Sequence, residues 1–528
     1  MEMTRRELLR LIGGTAVLLP LLAACGGSSS QSSGGGQGTQ ESGADGNLLH
    51  STAPLPSLFS LPLAILPVLK PTRADATTDY YEMTASVSKA AILPGLQTEI
   101  WGYNGGFPGP TIEARSGRKV VVHTRNMLPV PVVTHLHGGR TPADSDGYPT
   151  DLIVPESGWA EMPHVHSEQP HVGNVAQGMR EYVYPLEQRA ATLWYHDHRM
   201  DFTGAQVWRG LAGFFILRDD EDDALPLPKG EREVPLMITD RSFGDKGELL
   251  YPAVDPTLHQ SGVTGDFHNG VLGDVILVNG VPWPFLEVAA ACYRFRLLNT
   301  SNARRYRLEL DPAPAEGAPF TQVGSDGGLL GTPRTLKNIY ITPAERFDVV
   351  IDFSRYRPGT TVTLKNRLGD GGTAQIMQFR IMGAVQDDAT VPATLARFEQ
   401  LDPAKATQTR SFAFNRATQD RHIVFRINGR LFDPGFIAAD PVFGATEIWS
   451  LTSTTIHPVH LHLSPFQVLS RDGGLQPEDG GWKDTVLLNP HQTVQILVRF
   501  DGYRGKYMFH CHNLEHEDMA MMANFQVI

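Results

Sequence analysis

His510-Cys511-His512, followed by Asn513-Leu514-Glu515-His516-Glu517-Asp518-Met519-Ala520-Met521, is the stretch on which the reading of the chain turns. In an extended segment successive side chains point to opposite faces, so His510 and His512 face one way and Cys511 the other. One strand can then serve two metal centres. Cys511, with His516 and Met521 after it, offers a thiolate, an imidazole and a thioether, three parts of the soft ligand set of a blue-copper centre. The missing imidazole can come from His457, which opens a second cluster, His457-Pro458-Val459-His460-Leu461-His462.

Two further pairs lie upstream, His135-Leu136-His137 and His196-Asp197-His198. If His457 and His516 serve the thiolate centre, eight imidazoles remain: His135, His137, His196, His198, His460, His462, His510 and His512. That number suits a trio of coppers taking two, three and three. A single His-x-His pair carries little weight, since zinc suits it as well as copper and such a pair also arises by accident. Four pairs joined to the Cys, His and Met spacing are far more specific.

The motifs HLHGG, WYHDH, HPVHLH and HCHNLEHEDMAMM resemble the four ligand motifs of the multicopper oxidases, the family of laccases, bilirubin oxidases and cuprous oxidases. Within it the bacterial spore-coat laccases are the most similar group. The resemblance extends over nearly all of the chain after about Leu66 and includes Trp101 to Ile112, Ser145-Asp146-Gly147-Tyr148-Pro149, Gly324-Ser325-Asp326-Gly327-Gly328 and Gly481-Trp482-Lys483-Asp484. It implies four copper ions: type 1 on His457, Cys511, His516 and axial Met521; type 2 on His135 and His460; and a type 3 pair on His137, His196, His198, His462, His510 and His512. It also implies that electrons enter at a solvent-facing His516 and pass from the Cys511 sulfur through the backbone to His510 and His512. Glu517 and Asp146 match acidic residues near the oxygen site, where a carboxyl can donate or relay protons.

The implied activity is a laccase-like coupling of one-electron oxidation of phenols or aromatic amines to four-electron reduction of dioxygen to water. Dioxygen and small aromatic reductants are then the partners. A cuprous or manganous ion oxidase is the second enzyme reading, made less attractive by the lack of a Met-rich insertion. A copper-free envelope scaffold is the non-enzyme reading, and it would be marked by lost ligands, whereas every position here is filled.

At 528 residues the chain exceeds one core, and 52 Gly, 38 Pro and only 19% charged residues favour strands joined by turns. The expected fold is all-β, and the resemblance implies three cupredoxin-like Greek-key domains, at 79–218, 233–382 and 411–528, the last with the type 1 copper. The second carries no ligand cluster and is expected to space the outer two. The acidic run Asp219 to Asp223 reads as a boundary. A formal charge of -12 disfavours a nucleic-acid partner.

Residues 1–24 read as a signal peptide. Arg5-Arg6 resembles a twin-arginine export motif, and Leu22-Ala23-Ala24-Cys25-Gly26 resembles a lipobox, with an ordinary secretory peptide cut near Ala24 as the other reading. The expectation is a protein exported to the cell envelope or surface, lipid-anchored on Cys25, held on a Ser/Gly-rich tether (25–54), and monomeric. The apolar stretch Leu55 to Leu69 is short and broken by Pro56, Pro62 and Pro67, so it reads as part of a strap (55–78) lying on the body rather than as a membrane span. Of three cysteines, Cys25 belongs to the leader and Cys511 to the metal, and Cys292 reads as a small apolar residue at a strand start. Pro163-His164-Val165-His166 and His171 also show metal-like spacing but find no place in the ligand count and read as loop.

Overall fold

The computed structural model describes residues 46–159, 173–419 and 422–528. The leader, Cys25, most of the tether, and His164, His166 and His171 lie outside the described residues. Strands take up 46% of the chain and helices 8%, which makes the fold all-β.

The larger sheets group in three face-to-face pairs. The first pair combines a five-stranded sheet built on Thr78–Ala90 and Lys119–Asn126 with a four-stranded sheet ordered Ile112–Arg115, Ala212–Arg218, Ala191–Asp197, Thr134–His137. The second combines seven and five strands, and the third five and five. Parallel and antiparallel neighbours mix within each sheet. Thr78–Ala90 runs parallel to Lys119–Asn126 but antiparallel to Thr98–Tyr103, which requires chain crossovers of the Greek-key kind.

Alternation drives each pair together. In Thr446–Ser453 every second residue is buried, and in Thr493–Arg499 the alternating set Val494, Ile496 and Val498, continued by Phe500 just beyond the strand, is at most 1% exposed. Each sheet pair closes over its own apolar core, and Cys511 and Met521 belong to the third. Ala191–Asp197 is buried along its whole length, because its second face is covered by another part of the chain. That doubly covered strand carries Trp194, His196 and the start of the His196-Asp197-His198 motif.

The second sheet pair is more than a spacer. Arg294 and Arg296, both at most 2% exposed, reach Asp222 at 2.8 and 3.3 Å, so the acidic run 219–223 includes a buried anchor between modules. Asp219 caps the short helix Asp220–Ala224 by accepting from the Asp222 backbone N–H. Cys292 opens the strand Cys292–Asn299, half-buried against Leu227 and Val323, and burial pushes its thiol up to about 12.

The segment 47–69 lies on the body, so the last residues of the expected flexible tether (25–54) are docked rather than free. Asn47–Leu48 pairs in parallel with Val271–Leu272, the Leu63 N–H donates to the Phe285 carbonyl (2.7 Å), and the Leu69 N–H donates to the Thr111 carbonyl (2.8 Å). It thus crosses from the second module to the first. Among the described residues no helix is long and apolar enough to cross a membrane.

Candidate metal centre

Two strand pairs bring the histidines together. In the first module Thr134–His137 lies antiparallel to Ala191–Asp197, with His135 opposite His196 and His137 opposite Trp194. In the third, His457–Leu461 lies antiparallel to Gly505–Cys511, with His460 opposite His510 and Val459 opposite Cys511. The period-two spacing sets each pair of imidazoles on one face, and the two faces meet between the first and third modules. His135 stacks on His462 at 3.9 Å between centroids, and His137 on His460 at 3.6 Å. His510 Nε2 lies 3.3 Å from His198 Nε2 and 3.2 Å from His462 Nε2.

Three groups of imidazole nitrogens converge: His135 with His460 and His462, His135 with His137 and His196, and His198 with His462 and His510. The eighth imidazole, His512, stands 5.1 Å from His137 and 5.3 Å from His196 by ring centroid. All eight are at most 1% exposed.

Whether these residues suit a metal can be judged from what their nitrogens do. On the outer side, Nδ1 of His135, His196, His460 and His510 donates to the carbonyls of Asp146 (2.5 Å), Asp197 (2.8 Å), Asp484 (2.9 Å) and Cys511 (3.0 Å). Those bonds fix the tautomer and turn the Nε2 lone pair inward, as metal-bound imidazoles require. Nε2 of His135, His196 and His460, Nδ1 of His137, and both nitrogens of His512 are buried and lack a hydrogen-bond partner among the described residues. An unpaired buried polar atom costs about 1–3 kcal/mol, so six together call for a ligand. Burial above all lowers the pKa of His196 to about 3 and of His198 to about 4, which keeps these two rings in the neutral form that binds metals. The residues fit a cluster of cations.

The second cluster is smaller and lies within one module. His457 Nδ1 is 3.3 Å from Cys511 Sγ and 3.1 Å from His516 Nδ1, and Cys511 Sγ is 3.6 Å from His516 Nδ1. Thr455 Oγ1, 2.8 Å from His457 Nε2, fixes that ring from outside. Met521 is fully buried, its N–H donates to the His516 carbonyl, and its carbonyl accepts from Cys511 N–H, both at 3.1 Å. One thiolate-capable residue and two imidazoles with Nδ1 turned inward suit a single soft metal.

One expectation needs correction. His516 does not face solvent: it is 2% exposed, and its ring lies flat on Phe425 at 3.9 Å and 25°. Phe425 comes from the strand His422–Ile427, about ninety residues earlier in the chain, and is itself fully buried. The loop after Phe267 completes the cover, pinned where Asn513 Nδ2 donates to the Asn269 carbonyl (2.9 Å) and the Val271 N–H to Glu515 Oε2 (3.1 Å).

The two acids singled out from the sequence both reach the cluster. Glu517, on the short helix Leu514–Asp518, has its carboxylate oxygens 3.4 Å from His198 Nδ1 and 3.2 Å from His510 Nδ1. Burial alone would raise its pKa, but His198 and His510 outweigh it and hold the group at about 2. Asp146 Oδ2 is 2.7 Å from His462 Nδ1, and burial pushes this carboxyl up to about 8. Gly147 lets its loop press on the ligand strand. Its φ is +80°, and a Cβ there would meet the Thr134 carbonyl at 2.3 Å.

Residues without an assigned role complete the site. Asp484 Oδ1 is 3.1 Å from His137 Nε2 and accepts from Arg346 Nη1 at 2.8 Å. Lys483 pairs with Glu345 (2.8 Å) and Asp326 (3.0 Å), and Asn302 Nδ2 donates to Glu515 Oε1 (2.7 Å). Arg346, Glu345, Asp326 and Asn302 all belong to the second module, so the module without ligands braces both clusters. The sequence signal was the Gly324-to-Gly328 and Gly481-to-Asp484 resemblance, which named the stretches without a function.

Comparison with known proteins agrees with this geometry. Two family models described as multicopper oxidase match residues 400–528 and residues 84–169 and 167–222. A laccase from Bacillus subtilis is 37% identical over 524 residues, covering 88% of this chain and 97% of the relative. A bilirubin oxidase from Albifimbria verrucaria is 34% identical, covering 92% and 84%. A crystal structure of a laccase from Pediococcus acidilactici superposes with a TM-score of 0.76 at 33% identity, covering 91% of this chain and 95% of the other.

Proposed function

The chain belongs to the multicopper oxidase family, and from that premise we propose that it is a laccase-like oxidase, coupling one-electron oxidation of phenolic or aromatic-amine donors to four-electron reduction of dioxygen to water. The observation that carries this reading is the enclosure of eight imidazoles, five of them with buried nitrogens that lack a hydrogen-bond partner among the described residues, one residue away from a Cys and two His set.

In this reading His457, Cys511, His516 and Met521 hold a type 1 copper, His135 and His460 a type 2, and the other six histidines a type 3 pair. Copper, when bound, supplies the one-electron redox steps that imidazole and thiolate do not perform alone. The chain's own contribution is positional. The carbonyl bonds to the four outer Nδ1 atoms hold the rings without rearrangement, and complete burial excludes water from the cluster. Cys511 joins the two sites covalently, because its peptide neighbours are His510 and His512. Glu517 and Asp146 hold carboxyl oxygens within 3.4 Å of ligand imidazoles, where Asp146 can hold a proton and Glu517 can relay the protons that water formation consumes.

The cellular setting is part of the proposal: export in the folded state on the twin-arginine leader, retention through a lipid on Cys25, and action as a monomer with domains at 79–218, 233–382 and 411–528. The deciding experiment is a visible spectrum of the copper-loaded protein beside an oxygen-uptake trace on a methoxyphenol. A blue protein that consumes oxygen with the phenol is expected. A colourless one, or one that prefers cuprous or manganous ions by a wide margin, would overturn the reading.

A further inference from the structure

Away from the histidines, a cavity of about 550 Å³ opens where the three modules meet. Four guanidinium groups border it, those of Arg140, Arg189, Arg397 and Arg499, together with the indole of Trp482 and, near the histidine cluster, Asp484. Asp501 and Glu399 are the other lining carboxylates, and both are engaged: Asp501 lies 2.9 Å from Arg140 and 2.6 Å from Arg499, and Glu399 2.6 Å from Arg499. Asp484 is matched from behind by Arg346. That leaves Arg189 and Arg397. Arg397 has no ion pair among the described residues, and Arg189 reaches Glu221 only at 3.8 Å while its Nη1 is buried and without a hydrogen-bond partner. In a chain of formal charge -12, this cavity holds a local excess of positive charge.

We propose that the cavity binds a small aromatic carboxylate. Guanidinium groups present planar paired donors that match a carboxylate, and an indole offers a flat apolar surface to a ring. The volume falls within the roughly 300–1,000 Å³ of small-molecule sites, at a junction of modules where such sites concentrate. Asp484 gives the site a consequence. Its carboxylate touches His137 Nε2 and its carbonyl holds His460 Nδ1, so an occupant beside it bears on two imidazoles of the eight. An aromatic acid would then act here as an inhibitor, at a place separate from the Cys511 cluster where donors give up electrons.

The test uses the copper-loaded full chain and 4-methoxybenzoate beside its methyl ester. Calorimetry should show the acid binding at least tenfold more tightly than the ester, with affinity falling as salt rises. Arg397→Ala, at an exposed position, and the double variant Arg189→Ala/Arg397→Ala should weaken the acid by about 10-fold or more, as loss of a charge-assisted hydrogen bond predicts. The ester should bind unchanged. Equal binding of acid and ester, wild-type affinity in the double variant, or displacement by chloride at the same concentration would each overturn the proposal. A second readout rests on the oxidase reading: the acid, but not the ester, should slow oxygen uptake with a neutral phenol. Calorimetry does not depend on that reading, so the two can fail separately.

Discussion

The cluster around Cys511 and the cluster of eight imidazoles are adjacent, yet they are built in opposite ways. His457, Cys511, His516 and Met521 all belong to the third module, and the loop 511–521 is closed by its own backbone hydrogen bonds. The eight imidazoles come from two modules, and neither half converges without the other. The first site is a property of one sandwich and the second a property of an interface. A local site should therefore survive damage to the assembly better than a shared one, and the two should be separable by mutation.

The largest separation should come from His460→Ala. His460 contributes to one of the convergent groups, stacks on His137 and belongs to none of the Cys511 set. Oxygen uptake should fall below detection while the blue colour and its reduction by a phenol remain. Cys511→Ser should do the reverse to the spectrum, bleaching the blue while the paramagnetic signal of the other coppers persists. If either substitution removed both signals, the clusters would be one cooperative unit and the comparison would fail.

Next in size is Glu517→Gln. Its oxygens face only the shared cluster, through His198 and His510. Stopped-flow should show oxygen reduction slowed by about 10²-fold, within the range for general acid catalysis, with reduction of the blue centre unaffected. Equal slowing of both half-reactions would reassign Glu517 to the Cys511 site.

Asp484→Asn should follow, with about a 10–100-fold loss of activity or metal retention at the shared cluster, as expected for a group that orients metal-bound histidines. It should also lower the unfolding midpoint of the apoprotein, because buried Arg346 loses one of its two counter-charges and keeps only Asp326 at 3.6 Å, a loss of about 1–3 kcal/mol. An unchanged midpoint would return the second module to the role of a spacer.

The smallest effect should come from Phe425→Leu, which thins the cover on His516. We expect kcat/KM for bulky methoxyphenols to rise several-fold, with little change for small outer-sphere donors. Identical values for both classes would mean that electrons enter elsewhere.

The ligand histidines were legible because strand periodicity is local: two residues apart means one face, whatever the tertiary fold. The inward alternation of Val494, Ile496, Val498 and Phe500 was legible for the same reason. What could not be read depends on contacts between distant segments. Phe425 precedes His516 by about ninety positions, and nothing in His422 to Ile427 marks one aromatic as a cover. Arg346, Glu345, Asp326 and Asp222 look like surface charges in sequence, since only the fold reveals that each is buried against a partner. A module without ligand residues was therefore read as filler, although its charges fix the orientation of the ligands next door.

The docked strap, which begins at Asn47 inside the expected tether, imposes an order on how the molecule is made. Ser51 and its partner Asp274 are 223 positions apart, and Asn47–Leu48 must wait for Val271–Leu272. At roughly 5–20 residues per second, the ribosome delivers those partners on the order of 10–45 s after the strap has been synthesised. The first described residues of the body thus dock only after about half of the chain has been made, and they do so beside the loop that covers His516.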